Sequence, residues 1–280
     1  MNDNEIRVIG GRGQRGSKKR FLWWVLFVVA VAVIVILWLV VPHQSPSTEP
    51  DARPDDAVGA TAEASLLIDN ADPSMPAATV VCDTVVDNLH LRIFTPYNAT
   101  PELHVGHLSR QDTNVVLAAM AADLRRDNGR IVGAFVQEGQ PLSWGLSKKG
   151  YCAIIDGRIT IGVAENSPLF EQATEQEGYF FRQYPSVKEG KSLENNPENA
   201  SFRRALCTMG GRVCIVACTD RVLMNEFSTA LAHLGVSDAI FLVGGTAEGW
   251  CRDSEGKLVI IGTSTLKKSK YINYIVFRKQ

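Results

Sequence analysis

The sequence predicts an α+β domain, with a mostly antiparallel or mixed sheet and a few packed helices, behind one N-terminal transmembrane helix. Turn residues that are typical of β-hairpins recur throughout residues 77–280. Two stretches of the same region space their apolar residues as a helix does. Near the N-terminus, residues 21–41 carry no charged side chain. Hairpins interleaved with a few helices are typical of the α+β class.

Composition and charge fit a globular protein. Of 280 residues, 45% are hydrophobic, and 29 basic side chains face 30 acidic ones, for a net charge of −1. Nucleic-acid-binding domains usually carry a basic surface, so we predict no nucleic-acid partner. The charges are unevenly placed, because residues 1–20 hold six basic and two acidic side chains. We interpret this segment as a basic cytoplasmic tail.

Residues 21–41 read FLWWVLFVVAVAVIVILWLVV. As a helix they would extend about 31 Å, close to the roughly 30 Å of hydrocarbon in a bilayer. The basic run Lys18–Arg20 precedes them, which predicts a cytoplasmic N-terminus by the positive-inside rule. The segment is longer than the apolar core of a signal peptide, and no small-residue cleavage site follows it. We therefore predict a single-pass anchor whose partner is the lipid bilayer of a bacterial cytoplasmic (inner) membrane.

Residues 42–76 form a predicted extracytoplasmic linker, and residues 77–280 a periplasmic domain. The linker has a proline every four residues between Pro42 and Pro54 and few large apolar side chains, so it lacks material for a core. All six cysteines lie in the domain. Cys214 and Cys218 are about 13 Å apart if they share a strand, too far for a disulfide. Other disulfides and buried free thiols both stay open.

Several hairpins follow from their turns. Strong turn signals sit between β-rich runs, and the chain ends in an alternating apolar run at Tyr271–Phe277. The turns are Asp87-Asn88, Asp156-Gly157, Gly190-Lys191, Gly210-Gly211 and Asp253–Gly256. Helices are predicted over Thr113–Arg126, Arg221–Leu234 and, more briefly, Pro168–Thr174. The first two show one apolar face between a polar cap and a glycine.

Four short motifs follow one another in a distinctive order. They are Val132-Gly133-Ala134-Phe135, Gln183-Tyr184-Pro185, Arg203 with Ala205 and Leu206, and Leu242-Val243-Gly244-Gly245. This order resembles the phosphodiester glycosidase family, the domain of the enzyme that uncovers mannose-6-phosphate, whose bacterial relatives are often labelled as exopolysaccharide-associated. The likeness runs over roughly residues 103–258. Each motif alone is weak, while their order is fairly specific.

The resemblance implies hydrolysis of a glycosidic bond in a sugar phosphodiester or envelope glycan, with a saccharide or sugar-phosphate as the ligand. It implies that Arg203 holds the phosphate, since a guanidinium is a planar fork that suits oxyanions. A structural ion pair is the alternative role for Arg203. Gly244 and Gly245 would line the site through their backbone N–H groups. Gln183, Phe135 and, more weakly, Arg182 and Arg204 complete the substrate-binding candidates.

The departures from the family pattern concern its acidic and polar positions. Val243 stands where the family has the aspartate of Leu-Asp-Gly-Gly, Val132 where it usually has asparagine, and Cys207 where a glycine closes the arginine strand. Cleavage of a glycoside relies on carboxyl groups, and valine supplies none. The acids that could take the place of the family aspartate are Glu248 and Asp253, our catalytic candidates, and Glu138. Each of these is also an ordinary loop acid.

No cofactor is specified by any motif, and no metal site is predicted. His104 and His107 lie three apart in a predicted strand and so point to opposite faces. Three functions stay open: a glycosidase-like hydrolase, a non-catalytic module that binds a glycan or another anionic ligand, and a scaffold of a membrane assembly with membrane-protein partners. Val243 favours the latter two, while Arg203 and the paired glycines favour an anionic ligand in the first two.

Overall fold

Short antiparallel strands make up most of the domain. The computed structural model describes residues 70–195, 199–245, 247–262 and 269–279. In these ranges it contains seventeen strands and two short helices. The predicted α+β class is therefore wrong: the described part of the chain is a β-rich fold. Its strands form three sheets, and every pair of adjacent strands is antiparallel.

The first sheet has seven strands. In spatial order they are β1 (Ala78–Val86), β2 (Leu89–Tyr97), β13 (Arg212–Val222), β12 (Ser201–Met209), β14 (Val236–Leu242), β10 (Pro185–Lys188) and β11 (Lys191–Ser192). The ladder between β12 and β14 pairs Leu206 with Ile240. This pairing brings the strand that carries the arginine motif beside the strand that ends in the paired glycines.

The other two sheets have five strands each. The second runs β16 (Leu258–Gly262), β15 (Gly249–Arg252), β4 (Val115–Met120), β17 (Asn273–Lys279) and β3 (Ala99–Val105). The third runs β6 (Gln140–Trp144), β5 (Ala134–Gln137), β9 (Tyr179–Gln183), β7 (Gly150–Ile155) and β8 (Arg158–Val163). The strands β4, β9 and β14, one from each sheet, lead into the site described below.

The predicted hairpins are confirmed, because their turns have the backbone that the sequence requires. Asp156 and Gly157 have φ of 51° and 73°, and Gly210 and Gly211 have 57° and 74°. Two successive positive φ values define the type I′ turn, which matches the twist of antiparallel strands. The pairs β1–β2, β7–β8, β12–β13 and β15–β16 all form as expected.

Two of the three predicted helices are confirmed. The helix α1 spans Leu169–Glu175 and α2 spans Met224–His233. On α2 the side chains of Phe227 and Leu231 are fully buried against the first sheet. The helical apolar spacing of this segment therefore reflects one face that packs on a sheet.

The third predicted helix, Thr113–Arg126, is wrong. Its centre is strand β4, which lies between β15 and β17, and its end makes an isolated bridge between Leu124 and Ile131. Every residue of β4 is buried, so both faces of the strand are apolar. A continuous apolar run does not distinguish a buried strand from a helix, and two adjacent valines favour the strand.

The predicted transmembrane helix, residues 21–41, lies outside the described residues. So do the basic tail and most of the linker. Within the ranges that the structure describes, neither helix is long and apolar enough to cross a bilayer. The fold class therefore rests on the domain alone, and that domain is β-rich.

A core shared by the three sheets fixes their arrangement. Phe94 of β2, Leu117 of β4, Phe181 of β9 and Leu206 of β12 belong to one buried cluster with Ile275 of β17. Burying such a side chain contributes about 1.5–3 kcal/mol. This cluster therefore holds the ends of β4, β9 and β14 close to one another.

All six cysteines are free thiols in the structure, and Cys82 alone among them is exposed. Burial raises the pKa of Cys251 to about 12, so this thiol is neither accessible nor ionised at neutral pH. We expect one thiol per chain to react with a thiol reagent under native conditions, and all six after unfolding without reductant. Fewer than six reactive thiols after unfolding would contradict the free-thiol assignment, and rapid native labelling of a second thiol would contradict the burial.

Candidate functional site

Three motif segments meet at residues 120–123, where the chain leaves strand β4. The backbone N–H of Val132 donates to the carbonyl oxygen of Asp123 at 2.8 Å. The side-chain amide of Gln183 donates to the carbonyl oxygen of Ala121 at 3.4 Å. Segments far apart in sequence are thus adjacent in space at the end of one buried strand.

The paired-glycine segment joins the same place. The backbone N–H of Val243 donates to the carbonyl oxygen of Met120 at 3.2 Å, so the loop after β14 lies beside the end of β4. The N–H of Gly245 donates to the carbonyl oxygen of Phe202 at 2.7 Å. Three of the four motifs that carry the family resemblance therefore converge at the end of β4.

Lys148 is the centre of this convergence. Its side chain is only 3% exposed, and its Nζ is bonded to a carboxylate oxygen of Asp123. The same Nζ donates to Oε1 of Gln183 at 2.7 Å and lies 4.8 Å from the ring centroid of Tyr184. We name Asp123, Lys148, Gln183 and Tyr184 the Lys148 cluster. A buried ammonium with a carboxylate, an amide and an aromatic ring around it is fully coordinated.

The solvent-exposed groups of the cluster are a carboxylate and an aromatic ring. The side chain of Asp123 is 40% exposed and Tyr184 is 46% exposed, while Lys148 and Gln183 are buried beneath them. Burial lowers the pKa of Lys148, and the nearby Asp123 carboxylate opposes that shift. Because the ammonium and the carboxylate cancel, the cluster offers hydrogen-bonding oxygens and a ring without a net charge.

The stability that Lys148 contributes should depend on pH. Because burial lowers its pKa in the folded chain, the unfolded chain binds this proton more tightly. Stability therefore rises with pH as the pH approaches the ordinary lysine pKa, and Lys148→Met removes that gain. Between about pH 7 and about pH 9.5, the unfolding free energy of the wild type should therefore increase relative to that of Lys148→Met. A difference that stays constant, or moves the other way, would contradict the burial of the charge.

Asn273 fixes the backbone next to the cluster. Its side chain accepts from the N–H of Ala122 at 2.7 Å and donates to the carbonyl oxygen of Ala122 at 3.1 Å. Asn273 is fully buried at the start of β17. The residue before Asp123 is thereby held by both of its polar backbone groups, which positions the carboxylate.

The catalytic candidates named from sequence lie outside the cluster. The carboxylate of Glu248 is bonded to Arg110 at 2.8 Å and to the hydroxyl of Tyr274 at 3.3 Å. Asp253 accepts from the backbone N–H groups of Glu255 and Lys257, and so closes a hairpin turn. Glu138, at φ 48°, occupies the turn between β5 and β6.

The two arginines of strand β12 donate hydrogen bonds to different parts of the chain. Arg203 donates to the carbonyl oxygens of Asn199 at 2.5 Å and Val222 at 3.3 Å. Arg204 is buried and donates to the carbonyl oxygens of Ala247 and Ile261. Burial lowers the pKa of both guanidinium groups, that of Arg204 to about 10.

Arg204, rather than Arg203, shares a cavity with Gly245. Arg204, Gly245 and Phe202 line a hollow of about 370 Å³. Successive side chains of a strand point to opposite faces, which explains why its neighbour Arg203 is not part of this lining. Arg203, the arginine that matches the family motif, is therefore not among the residues that line this hollow.

The paired glycines differ in what they tolerate. A Cβ at Gly244 would lie 2.3 Å from the carbonyl oxygen of Phe202, whereas at Gly245 the nearest atom is 3.7 Å away. We expect Gly244→Ala to lower the unfolding free energy by about 3 kcal/mol, since backbone atoms must move. Gly245→Ala should lower it by about 1 kcal/mol, from its positive φ of 62° alone. Denaturant titration tests this, and equal losses would contradict the close approach.

Of the remaining binding candidates, one lies in the Lys148 cluster and two lie outside it. Gln183 is a member of the cluster, while Arg182 points to the opposite face of β9 and donates to the carbonyl oxygen of Lys148 at 2.8 Å. Phe135 is fully buried in the shared core. Its surroundings are those of a packing residue, with no surface for a ligand.

Asp123 and Lys148 were not singled out from sequence. Lys148 precedes Lys149, and the two look alike as a basic pair before a strand, yet Lys149 is 62% exposed. Only the fold distinguishes them, because the partners of Lys148 lie 25 and 35 residues away. Asp123 gave one usable signal, since it comes just after a continuous apolar run.

Comparisons with known proteins bear on the fold. No protein-family model matches the sequence, and no curated protein matches it. The structure is similar to a zebrafish structure described as the catalytic domain of N-acetylglucosamine-1-phosphodiester alpha-N-acetylglucosaminidase auto-inhibited by its pro-peptide. That match has a TM-score of 0.52 and 12% identity, and it covers 75% of this chain and 85% of the zebrafish one.

A second similar structure is a hypothetical protein from Synechocystis. It has a TM-score of 0.52 and 13% identity, with 71% of this chain and 62% of that chain covered. At such identities the likeness concerns the fold alone. The chain has a phosphodiester glycosidase-like fold, as the motif resemblance implied.

Proposed function

We propose that this domain binds a saccharide at the Lys148 cluster, as part of an envelope glycan or a sugar phosphodiester. The observation that carries the proposal is the meeting of three motif segments around an exposed carboxylate and ring held by a buried lysine. The similar zebrafish domain is described as a phosphodiester glucosaminidase, which supports a sugar as the ligand class.

The chemistry of the cluster suits sugar hydroxyl groups. The carboxylate of Asp123 accepts hydrogen bonds from hydroxyls, and the half-exposed ring of Tyr184 offers an apolar face to a sugar ring. Since Lys148 is neutralised by Asp123, the cluster has no spare positive charge for a phosphate. A neutral sugar unit therefore fits better than the phosphate of a phosphodiester.

Binding is favoured over cleavage by the residues at the family's polar positions. Glycosidases generally use two carboxyl groups, roughly 5–9.5 Å apart. Val132 and Val243 stand at the places where the resemblance puts polar side chains. Among the described residues, Asp123 is the one carboxylate bonded to Lys148, and Glu248 is bonded to Arg110 instead.

Hydrolysis of a sugar phosphodiester is the second candidate, and the Asp123–Lys148 pair favours it. A carboxylate beside a buried ammonium with a lowered pKa provides a base and an acid in one place. In that case Asp123 would stand in for the missing family aspartate. The two candidates differ in whether sugar is released.

We also propose that the domain lies outside the cytoplasmic membrane of a bacterium, tethered by the apolar segment 21–41. This part rests on the sequence, namely the uncharged run and the basic residues before it. Alkaline phosphatase fused after residue 60 should be active in cells. An inactive fusion would place the domain in the cytoplasm and rule out an extracytoplasmic glycan.

The functional experiment uses the full chain and a panel of neutral glycans and sugar phosphodiesters. Calorimetric titration measures binding, and a reducing-sugar assay measures release. We expect saturable binding of a neutral glycan without release. Release that stops in Asp123→Asn would instead establish the hydrolase, and neither binding nor release across the panel would contradict both candidates.

A further inference from the structure

A cavity of about 540 Å³ lies on the other side of β9 from the Lys148 cluster. Pockets for small ligands usually measure roughly 300–1,000 Å³ and combine apolar walls with a few polar groups. This one is lined by Trp144, Leu146, Phe170, Ser167, Glu171 and Arg182, among others. We name it the Trp144 cavity.

Two large apolar side chains stand exposed at its rim. Trp144 is 66% exposed and Leu146 is 65% exposed. Leu142 lies on the same face of β6, the edge strand that also carries Trp144, and is 46% exposed. Single exposed apolar residues are ordinary on protein surfaces, but a contiguous group beside a cavity indicates a binding surface.

A buried guanidinium lines the same cavity. Arg182 is 2% exposed, and its two terminal nitrogens donate to the carbonyl oxygens of Lys148, Ala164 and Glu165 at 2.8–2.9 Å. Its Nε–H has no acceptor among the described residues. The three bonds to carbonyl oxygens hold the guanidinium in place as a fixed part of the cavity wall.

We propose that the Trp144 cavity is a second saccharide subsite, which takes one neutral pyranose ring. The ring would stack its C–H face on Trp144, because an aromatic face is electron-rich and C–H groups are slightly positive. The polar groups of Asn166 and Ser167, which also line the cavity, would bond the hydroxyls of the sugar. Glu171 in the lining disfavours an anionic ligand. This inference does not depend on binding at the Lys148 cluster.

The experiment separates the two sites by double variants of the full chain. Neutral hexose and N-acetylhexosamine oligosaccharides are titrated calorimetrically against Tyr184→Ala, in which the cluster lacks its ring. Adding Trp144→Ala to this background should weaken the binding that persists by about fivefold or more. Adding Trp144→Phe, which keeps an aromatic face, should weaken it by less than about twofold.

Phe202→Ala is the matched control, since Phe202 is another exposed aromatic residue and lines a different cavity. It should leave the affinity unchanged. Thermal unfolding verifies that each variant is folded. Equal affinity of Trp144→Ala and its parent would overturn the subsite. Self-association that is lost in Trp144→Ala, without saccharide binding, would assign the exposed rim to a protein interface and overturn it too.

Discussion

Replacing Lys148 with methionine is expected to lower the unfolding free energy by about 2–3 kcal/mol. The substitution removes the counterion of Asp123 and one of the two donors to Oε1 of the buried Gln183, which keeps the backbone N–H of Tyr184 at 3.0 Å. Removing one partner of a buried group costs more than never having formed the bond, because the group that remains has already lost its water. Since Asp123 is partly exposed, water replaces some of what it loses. The loss is read from the shift in denaturation midpoint at constant slope.

The adjacent lysine provides the control. Lys149 is exposed and pairs with an exposed Glu165, so Lys149→Met should change the unfolding free energy by no more than about 0.5 kcal/mol. Similar losses in the two variants would show that Lys148 holds no buried partners. Saccharide affinity should fall in Lys148→Met alone, by about tenfold, because Asp123 loses the group that orients it.

Asp123→Asn is expected to weaken saccharide binding by roughly 10- to 100-fold. Hydrogen bonds to a charged group are worth about 1.5–3 kcal/mol, and the amide keeps the shape of the carboxylate while it loses the charge. Isothermal titration with the neutral glycan that the wild type binds best measures the effect.

Asp127→Asn is the matched control for this change, because Asp127 is an exposed carboxylate in the loop that follows the same strand. It should bind as the wild type does. Affinity that is unchanged in Asp123→Asn, with the chain still folded, would remove Asp123 from the site. In that event the subsite at Trp144 would be tested on its own by the double variants above.

The hairpins were predictable because their determinants are local. Asp156-Gly157 and Gly210-Gly211 specify left-handed backbone at two successive positions, and only residues beside the turn are involved. The amphipathic helix α2 was predictable for a related reason: one of its faces is apolar and the other is polar.

Strand β4 was not predictable in this way. Its burial between β15 and β17 comes from strands more than a hundred residues further along the chain. A sequence of apolar residues records that the segment is buried, but it does not record whether the neighbours are strands or helices. The fold class changed from α+β to a β-rich fold largely on this element.

The candidate site was partly predictable. Gln183 and the paired-glycine segment do lie where three segments converge, as the order of motifs suggested. The role given to Arg203 stays a prediction. Its neighbour Arg204 lines the hollow with Gly245, because successive side chains of a strand point to opposite faces. The burial of Lys148 could not be predicted, because lysines are usually exposed and the partners of this one are distant in the sequence.

The most direct test of the saccharide site is hydrogen–deuterium exchange of the full chain with and without a saturating neutral glycan. It is carried out in Trp144→Ala, so that the second subsite does not contribute. We expect added protection at residues 120–123, 183–185 and 243–245 together, since these segments surround the cluster. Protection that is absent from all three segments, and found instead on α2 or at the β15–β16 hairpin, would contradict a saccharide site at the Lys148 cluster.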